Sequence, residues 1–146
     1  FFGHVSRMDS MQAAILSARL ERLDALIDKR RANAKIYDSL LDDAHIFYPK
    51  RSERIFDTFH TYVIQVSNRD ELVKFLHNKG IQTAIHYPVP IHLQPAAKKF
   101  NKPRGSFPIT ETQAGKILSL PINQTLSDLQ IEFVAREVNS FFGMKK

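Results

Sequence analysis

The sequence predicts an α+β domain, a small and mostly antiparallel sheet with helices on one side. Three observations lead there. Helical and strand patterns follow one another in the order helix–strand–strand–helix–strand–helix–helix–strand–helix. The richest strand pattern, FHTYVIQV at residues 59–66, is followed at once by the helix-capping spacing of Asn68-Arg69-Asp70-Glu71. The chain has 146 residues, 43% of them hydrophobic and 25% charged, which is enough for one buried core but not for two comfortable ones.

Asp9-Ser10-Met11-Gln12 has the spacing of a reciprocal capping box. Apolar residues then recur at threes and fours through Met11, Ala14, Ile15, Ala18, Leu23, Leu26, Ile27, Ala34, Tyr37 and Leu40. That period predicts a long amphipathic helix over roughly residues 9–42, kinked midway. Such a helix is on the order of 50 Å long, longer than the domain behind it is wide, so it is expected to pack on another domain or subunit. Ile46-Phe47-Tyr48 before Pro49 reads as a short edge strand, and residues 50–57 as a basic loop.

Asn68-Arg69-Asp70-Glu71 repeats the capping-box spacing and opens a helix through Leu72, Phe75 and Leu76. Gly80 stops it where a left-handed residue is wanted. Ile81 to Ile85 is a second strand running into His86-Tyr87-Pro88-Val89-Pro90-Ile91-His92. A helical turn over 93–100 and a Pro/Gly/Lys loop over 101–106 precede a short helix from Thr110 to Leu118, with Gln three residues after its cap. A terse strand lies over 118–121. Ser127-Asp128-Leu129-Gln130 caps the last helix, whose Leu129, Phe133, Val134 and Val138 lie near one face. Residues 1–44 are thus read as a connecting segment with a long helix, and residues 45–146 as the small domain.

Composition excludes several classes. There is no Cys, which removes disulfides, thiolate metal sites and thiol nucleophiles together and favours the cytoplasm without fixing it. No apolar run is long enough to cross a bilayer, and nothing resembles a signal peptide. There is no P-loop, no GxGxxG and no GxSxG elbow. Six histidines occur without a short ligand spacing, so no metal site is expected. The net charge of +6 comes from 21 basic against 15 acidic residues and suggests an anionic partner. The bases fall in scattered groups without Arg/Gly repeats or interleaved aromatics, so they read as solvated faces, and no nucleic-acid role is expected. The chain opens with Phe-Phe-Gly rather than Met, which reads as a piece of a longer protein.

Two segments concentrate chemistry. In HYPVPIH, two prolines within three residues hold the backbone extended and remove two donors, while His86, Tyr87 and His92 supply donors, acceptors and a titratable group. Either this is a substrate-contacting loop, or it is a rigid connector whose His and Tyr only satisfy backbone groups. The other segment places Arg7 just ahead of a helix N-terminus, where guanidinium and amides together could hold an anion. Alternatively, Arg7 pairs locally with Asp9.

RMDSMQAAIL at 7–16, GIQTAIHYPVPIHLQP at 80–95 and ILSLPI at 117–122 occur in order across nearly the whole chain. Together they resemble the C-terminal part of the DegT/DnrJ/EryC1/StrS family of pyridoxal-phosphate (PLP) sugar aminotransferases. The resemblance implies the small C-terminal domain of the aspartate-aminotransferase fold (fold type I). It implies transfer of an amino group, usually from glutamate, to a nucleotide-linked keto-sugar, in a cytoplasmic homodimer. The family's Schiff-base Lys and pyridinium-pairing Asp belong to its large N-terminal domain. Lys29, Lys35 and Lys74 match no family motif, so no catalytic residue is expected in this chain. The family reads Gly-x-Asn-x-Arg over residues 3–7, its Asn reaching the PLP phosphate of the neighbouring subunit. Here that position is Val5, whose side chain donates no hydrogen bond, while Arg7 keeps its place toward the cofactor or substrate. His86 and Tyr87 match the family's HYP segment near the sugar-nucleotide site, and His92 its later His, which is expected as structural support. The resemblance leaves a second class open, a non-catalytic regulatory or sugar-binding relative.

Overall fold

The computed structural model describes residues 7–50, 52 and 54–143. Its element order is α1 (Ser10–Leu20), α2 (Leu23–Leu40), β1 (Tyr62–Gln65), α3 (Arg69–Asn78), two 3-10 helices (Ile91–Leu93 and Pro95–Phe100), α4 (Pro108–Lys116), β2 (Ile117–Leu120) and α5 (Asp128–Phe141). The kink expected in the long helix is a full break that divides it into two helices. Arg22 leaves helical dihedrals at φ −110° and ψ 3°, and its amide turns back to the Arg19 carbonyl at 3.1 Å.

β1 and β2 pair antiparallel, Tyr62 opposite Leu120 and Gln65 opposite Ile117. Single antiparallel bridges widen this ladder, Phe47 to Gln65 on one side and Ala84 to Ser119 on the other. The α+β class and the antiparallel pairing stand, but two expected strands shrink to one bridge each. Pro49 offers no N–H to continue the first. In the second, the Ile81 amide is committed to the Leu76 carbonyl at 2.9 Å, closing the α3 cap around Gly80 at φ +75°. Pairing therefore starts only beyond Ile81, and Tyr87 at φ +66° ends it. The strand predicted over 59–66 begins late because Phe59, at φ +49°, turns the chain just before it.

One core joins the helices to the sheet. Tyr37 of α2, Tyr62 and Ile64 of β1, Leu72 and Leu76 of α3, Leu118 of β2 and Ile131 and Val138 of α5 are fully buried in it. The Tyr37 and Tyr62 rings lie 4.7 Å apart. The Tyr37 hydroxyl donates to the Pro121 carbonyl at 2.7 Å, and burial pushes its phenol upward from the ordinary tyrosine pKa. Asn139 of α5, itself buried, ties off the end of α2. Its Nδ2 donates to the Leu40 carbonyl at 2.8 Å, and its Oδ1 accepts from the Asp42 amide at 3.2 Å.

The caps depart from expectation in instructive ways. Ser127 and Gln130 form the full reciprocal box. At α1, Asp9 accepts from the Gln12 amide at 2.8 Å, but no return bond from Gln12 occurs among the described residues. Asn68 makes no side-chain cap bond. Helix α4 starts at Pro108 rather than Thr110, because proline's missing N–H suits a first turn, and its cap position is Phe107. The buried face of α5 is Ile131, Val134, Ala135 and Val138. Leu129 is exposed instead, and Phe133 sits at the rim.

Two features stand apart from the core. Helix α1 buries none of its residues, and Met11, Ile15 and Leu20 are more than half exposed. The Lys29–Arg31 group is not a solvated face. Arg30 Nη1 donates to the Phe59 and His60 carbonyls at 3.0 and 3.1 Å, and Arg31 Nη1 donates to the Asp57 carbonyl at 2.9 Å. These charges pin the corner that contains the positive φ of Phe59. Among the described residues, no helix is long and apolar enough to cross a membrane.

Candidate functional site

The HYPVPIH segment leaves the sheet at the Ala84 bridge, where Ala84 and Ser119 exchange both backbone bonds at 3.2 and 2.8 Å. Two residues on, His86 Nδ1 lies 2.8 Å from the Oγ of the buried Ser119. The chain then turns through Tyr87, a bulky residue in the left-handed region. Such a backbone is strained and persists only where its surroundings over-determine it. Tyr87 is 79% exposed, and its ring lies 6.4 Å from that of His86. Pro88 and Pro90 stiffen the remainder of the loop, and Gln94 Nε2 braces it on the Val89 carbonyl at 3.4 Å.

The far end is held by a second histidine. His92 Nε2 lies 2.9 Å from Glu111 Oε1, and its ring meets Phe107 edge-on at 4.8 Å. Glu111 also accepts from the Gly105 amide at 2.8 and 2.9 Å and from the Phe107 amide at 3.3 Å. Gly105 has φ +91°, a conformation that only glycine adopts without strain. The Gly105 amide, then the His92 ring and the Phe107 amide, hold the Glu111 carboxyl below its ordinary range against an opposing desolvation effect. An ionised carboxylate accepts only, so His92 Nε2 carries the proton of this bond.

A recess of about 300 Å³ opens beside His86, lined among others by Arg30, His60, Thr61, Gln82 and Thr83. The side chains of His60, Thr61, Gln82 and Thr83 make no hydrogen bond among the described residues, nor does His86 Nε2. These uncommitted donors and acceptors suit a polar, hydroxyl-rich ligand. A second cavity of about 520 Å³ between α2 and residues 49–59 is lined by none of Arg7, His86, Tyr87 and His92. The described residues include no cluster of three or more His, Asp or Glu fit to hold a metal ion.

The structure brings His86 and Tyr87 together at one end of the loop and places His92 at the other. Arg7 is exposed, does not line the recess and forms no pair with Asp9, whose carboxylate caps α1 instead. Val5 lies outside the described residues. No lysine lines the recess, and Lys29 is paired with Asp128 at 2.6 Å. Sequence reasoning missed Ser119 and Glu111. An acidic residue just after Pro108 was a legible first-turn signal, but its partner was not.

Comparison with known proteins gives these features a family. Residues 1–139 match the DegT/DnrJ/EryC1/StrS aminotransferase family, and the chain belongs to it. The chain is 38% identical over 143 residues to a pleiotropic regulatory protein of Geobacillus stearothermophilus, covering 96% of this chain and 38% of that protein. It is 37% identical to a UDP-N-acetyl-3-dehydro-α-D-glucosamine 3-aminotransferase of Acidithiobacillus ferrooxidans, covering 91% of this chain and 36% of the relative. Among solved structures, S. venezuelae DesV in complex with a ketimine intermediate superposes with a TM-score of 0.91 at 37% identity, over 99% of this chain and 39% of DesV. The chain thus spans well under half the length of the relatives it matches.

Proposed function

We propose that this chain is the substrate-facing small domain, with its connecting helix, of a PLP-dependent nucleotide-sugar aminotransferase. Residues 1–44 then form the connecting segment and long helix, and residues 45–146 the small C-terminal domain of a fold-type-I enzyme. The observation that carries this is the HYPVPIH loop, stiffened by two prolines, held at both ends and presenting a strained, exposed Tyr87 beside a polar recess. In this reading His86 and Tyr87 contact the nucleotide-linked keto-sugar, His92 supports the loop, and Arg7 faces the cofactor or substrate. The amino-group transfer, with glutamate as donor, belongs to PLP and to residues outside those described. This chain contributes binding and orientation. The setting is a cytoplasmic homodimer making sugars for polysaccharide, lipopolysaccharide or antibiotic synthesis.

The test is the visible spectrum of the full-length protein saturated with PLP. A visible band that fades on adding glutamate is expected, and a colourless protein would remove the enzyme reading. Val5 at the family's Asn position, together with the regulatory name of the Geobacillus relative, favours one alternative. A non-catalytic, sugar-binding relative would bind a nucleotide sugar yet carry no Schiff-base Lys upstream of Gly3.

A further inference from the structure

We propose that Glu111 is a positioning residue that, acting through His92, fixes the orientation of Tyr87 for substrate contact. The inference rests on the proposed function for what Tyr87 touches, but not for how Tyr87 is held.

Tyr87 cannot hold itself. Tyr87 is 79% exposed and its backbone sits at φ +66°, with only the His86 ring beside its own among the described residues, so little packing of its own offsets that strain. Pro88 and Pro90 fix two backbone angles of residues 86–92 and remove two donors, so the rest of the segment depends on what holds its ends. One end is fastened by His86 to Ser119. The other is fastened by His92 to Glu111, with the two side chains only 10% and 11% exposed. A bond so shielded from water is not readily exchanged for hydration.

Both fasteners fall on one uninterrupted stretch of chain, because α4, which carries Glu111, runs directly into β2, which carries Ser119. That stretch acts as a splint whose spacing sets the span of the loop. Glu111 is also the joint between the splint and the preceding loop, since the same carboxylate holds the Gly105 and Phe107 amides. Phe107 in turn packs against the His92 ring. Glu111 does not line the recess beside His86, so its effect on a ligand there passes through the loop.

The experiment has two arms. In this chain, ¹⁵N relaxation is measured at the amides of Tyr87, Val89 and Ile91 in the wild type, Glu111→Gln and His92→Phe, with α5 amides as the fold control. His92→Phe keeps an aromatic ring for Phe107 and loses only the bond to Glu111. Order parameters near the rigid value of about 0.85 are expected to fall toward about 0.6 in both variants. In the full-length enzyme, Glu111→Gln is expected to raise KM for the nucleotide sugar about tenfold while kcat stays within about twofold, the pattern of lost uniform binding. Unchanged order at residues 87–91 in both variants overturns the proposal, as does an unchanged KM despite a loosened loop. If Glu111→Gln does not fold, His92→Phe carries the relaxation arm alone. A wild-type protein that turns over no nucleotide sugar removes the functional reading, and the relaxation arm still decides how the loop is held.

Discussion

A glutamate side chain that accepts from two backbone amides and a ring nitrogen is a different acid from a free one. The Glu111 carboxyl lies below its usual range, chiefly because of the Gly105 amide. Its folded pKa is therefore lower than its unfolded one, and its stabilising contribution is present above the unfolded value and lost as pH falls through the folded value. In an NMR titration the Gly105 amide should shift with a midpoint below the ~4.3 of an unperturbed glutamate, and Glu111→Gln should abolish that shift. A midpoint at or above the free value contradicts the geometry. Tyr37→Phe isolates a second residue. It leaves the Pro121 carbonyl without the phenol donor, and urea unfolding should register a loss of about 1–3 kcal/mol. The two histidines and the tyrosine of the loop were legible in the sequence because prolines mark them. Their partners were not, since Ser119 lies 33 residues beyond His86 and Glu111 lies 19 beyond His92. Only the fold brings such pairs together.

At the scale of elements, helix ends are fixed by a few side chains whose removal has a stated effect. Ser127→Ala deletes one half of the only complete capping box among the described helices, and should destabilise the domain by about 1 kcal/mol. Asn139→Ala removes both the acceptor for the Asp42 amide and the donor to the Leu40 carbonyl, at a buried position. A loss of about 2–3 kcal/mol is expected in chemical denaturation, and a change under half that size would mean water replaces the amide. Helices with long apolar periods were readable, as were the Gly80 stop and the Ser127 cap. The strands at 46–48 and 81–85 were not, because alternation reports a pleated surface and is silent about how many neighbours share the ladder. The face of α5 was misassigned for a related reason. Leu129 fits the helical period, yet it lies in the first turn of α5 and is exposed.

At the scale of the molecule, α1 is the long element without a place in the core. None of its residues is buried, and Met11, Ile15, Leu16, Leu20 and Leu23 form an exposed apolar series. Such a series marks an interaction surface. The length of the family relatives beyond the matched region leaves room for its cover. Studied alone, this chain should self-associate through α1. The double variant Ile15→Glu, Leu20→Lys should move it toward monomer in sedimentation velocity, and an unchanged distribution would place the contact elsewhere. The sequence foretold the uncovered face because apolar periodicity outran the length that one small domain can bury. It foretold a kink midway but not its place at Arg22, since neither Gly nor Pro interrupts residues 10–40.

The splint beneath the loop has an evolutionary consequence. Because residues 84–120 contain the loop and both of its anchors, they can be inherited as a cassette. A crossover outside this stretch passes on the loop in its working shape, whereas one falling between residues 93 and 110 pairs one parent's histidine with the other parent's carboxylate. Chimaeras with a family relative should therefore carry over substrate preference when joined at 83 and 121, and lose affinity when joined near 100. Equal behaviour of the two junctions would show that the loop's shape travels by some other route.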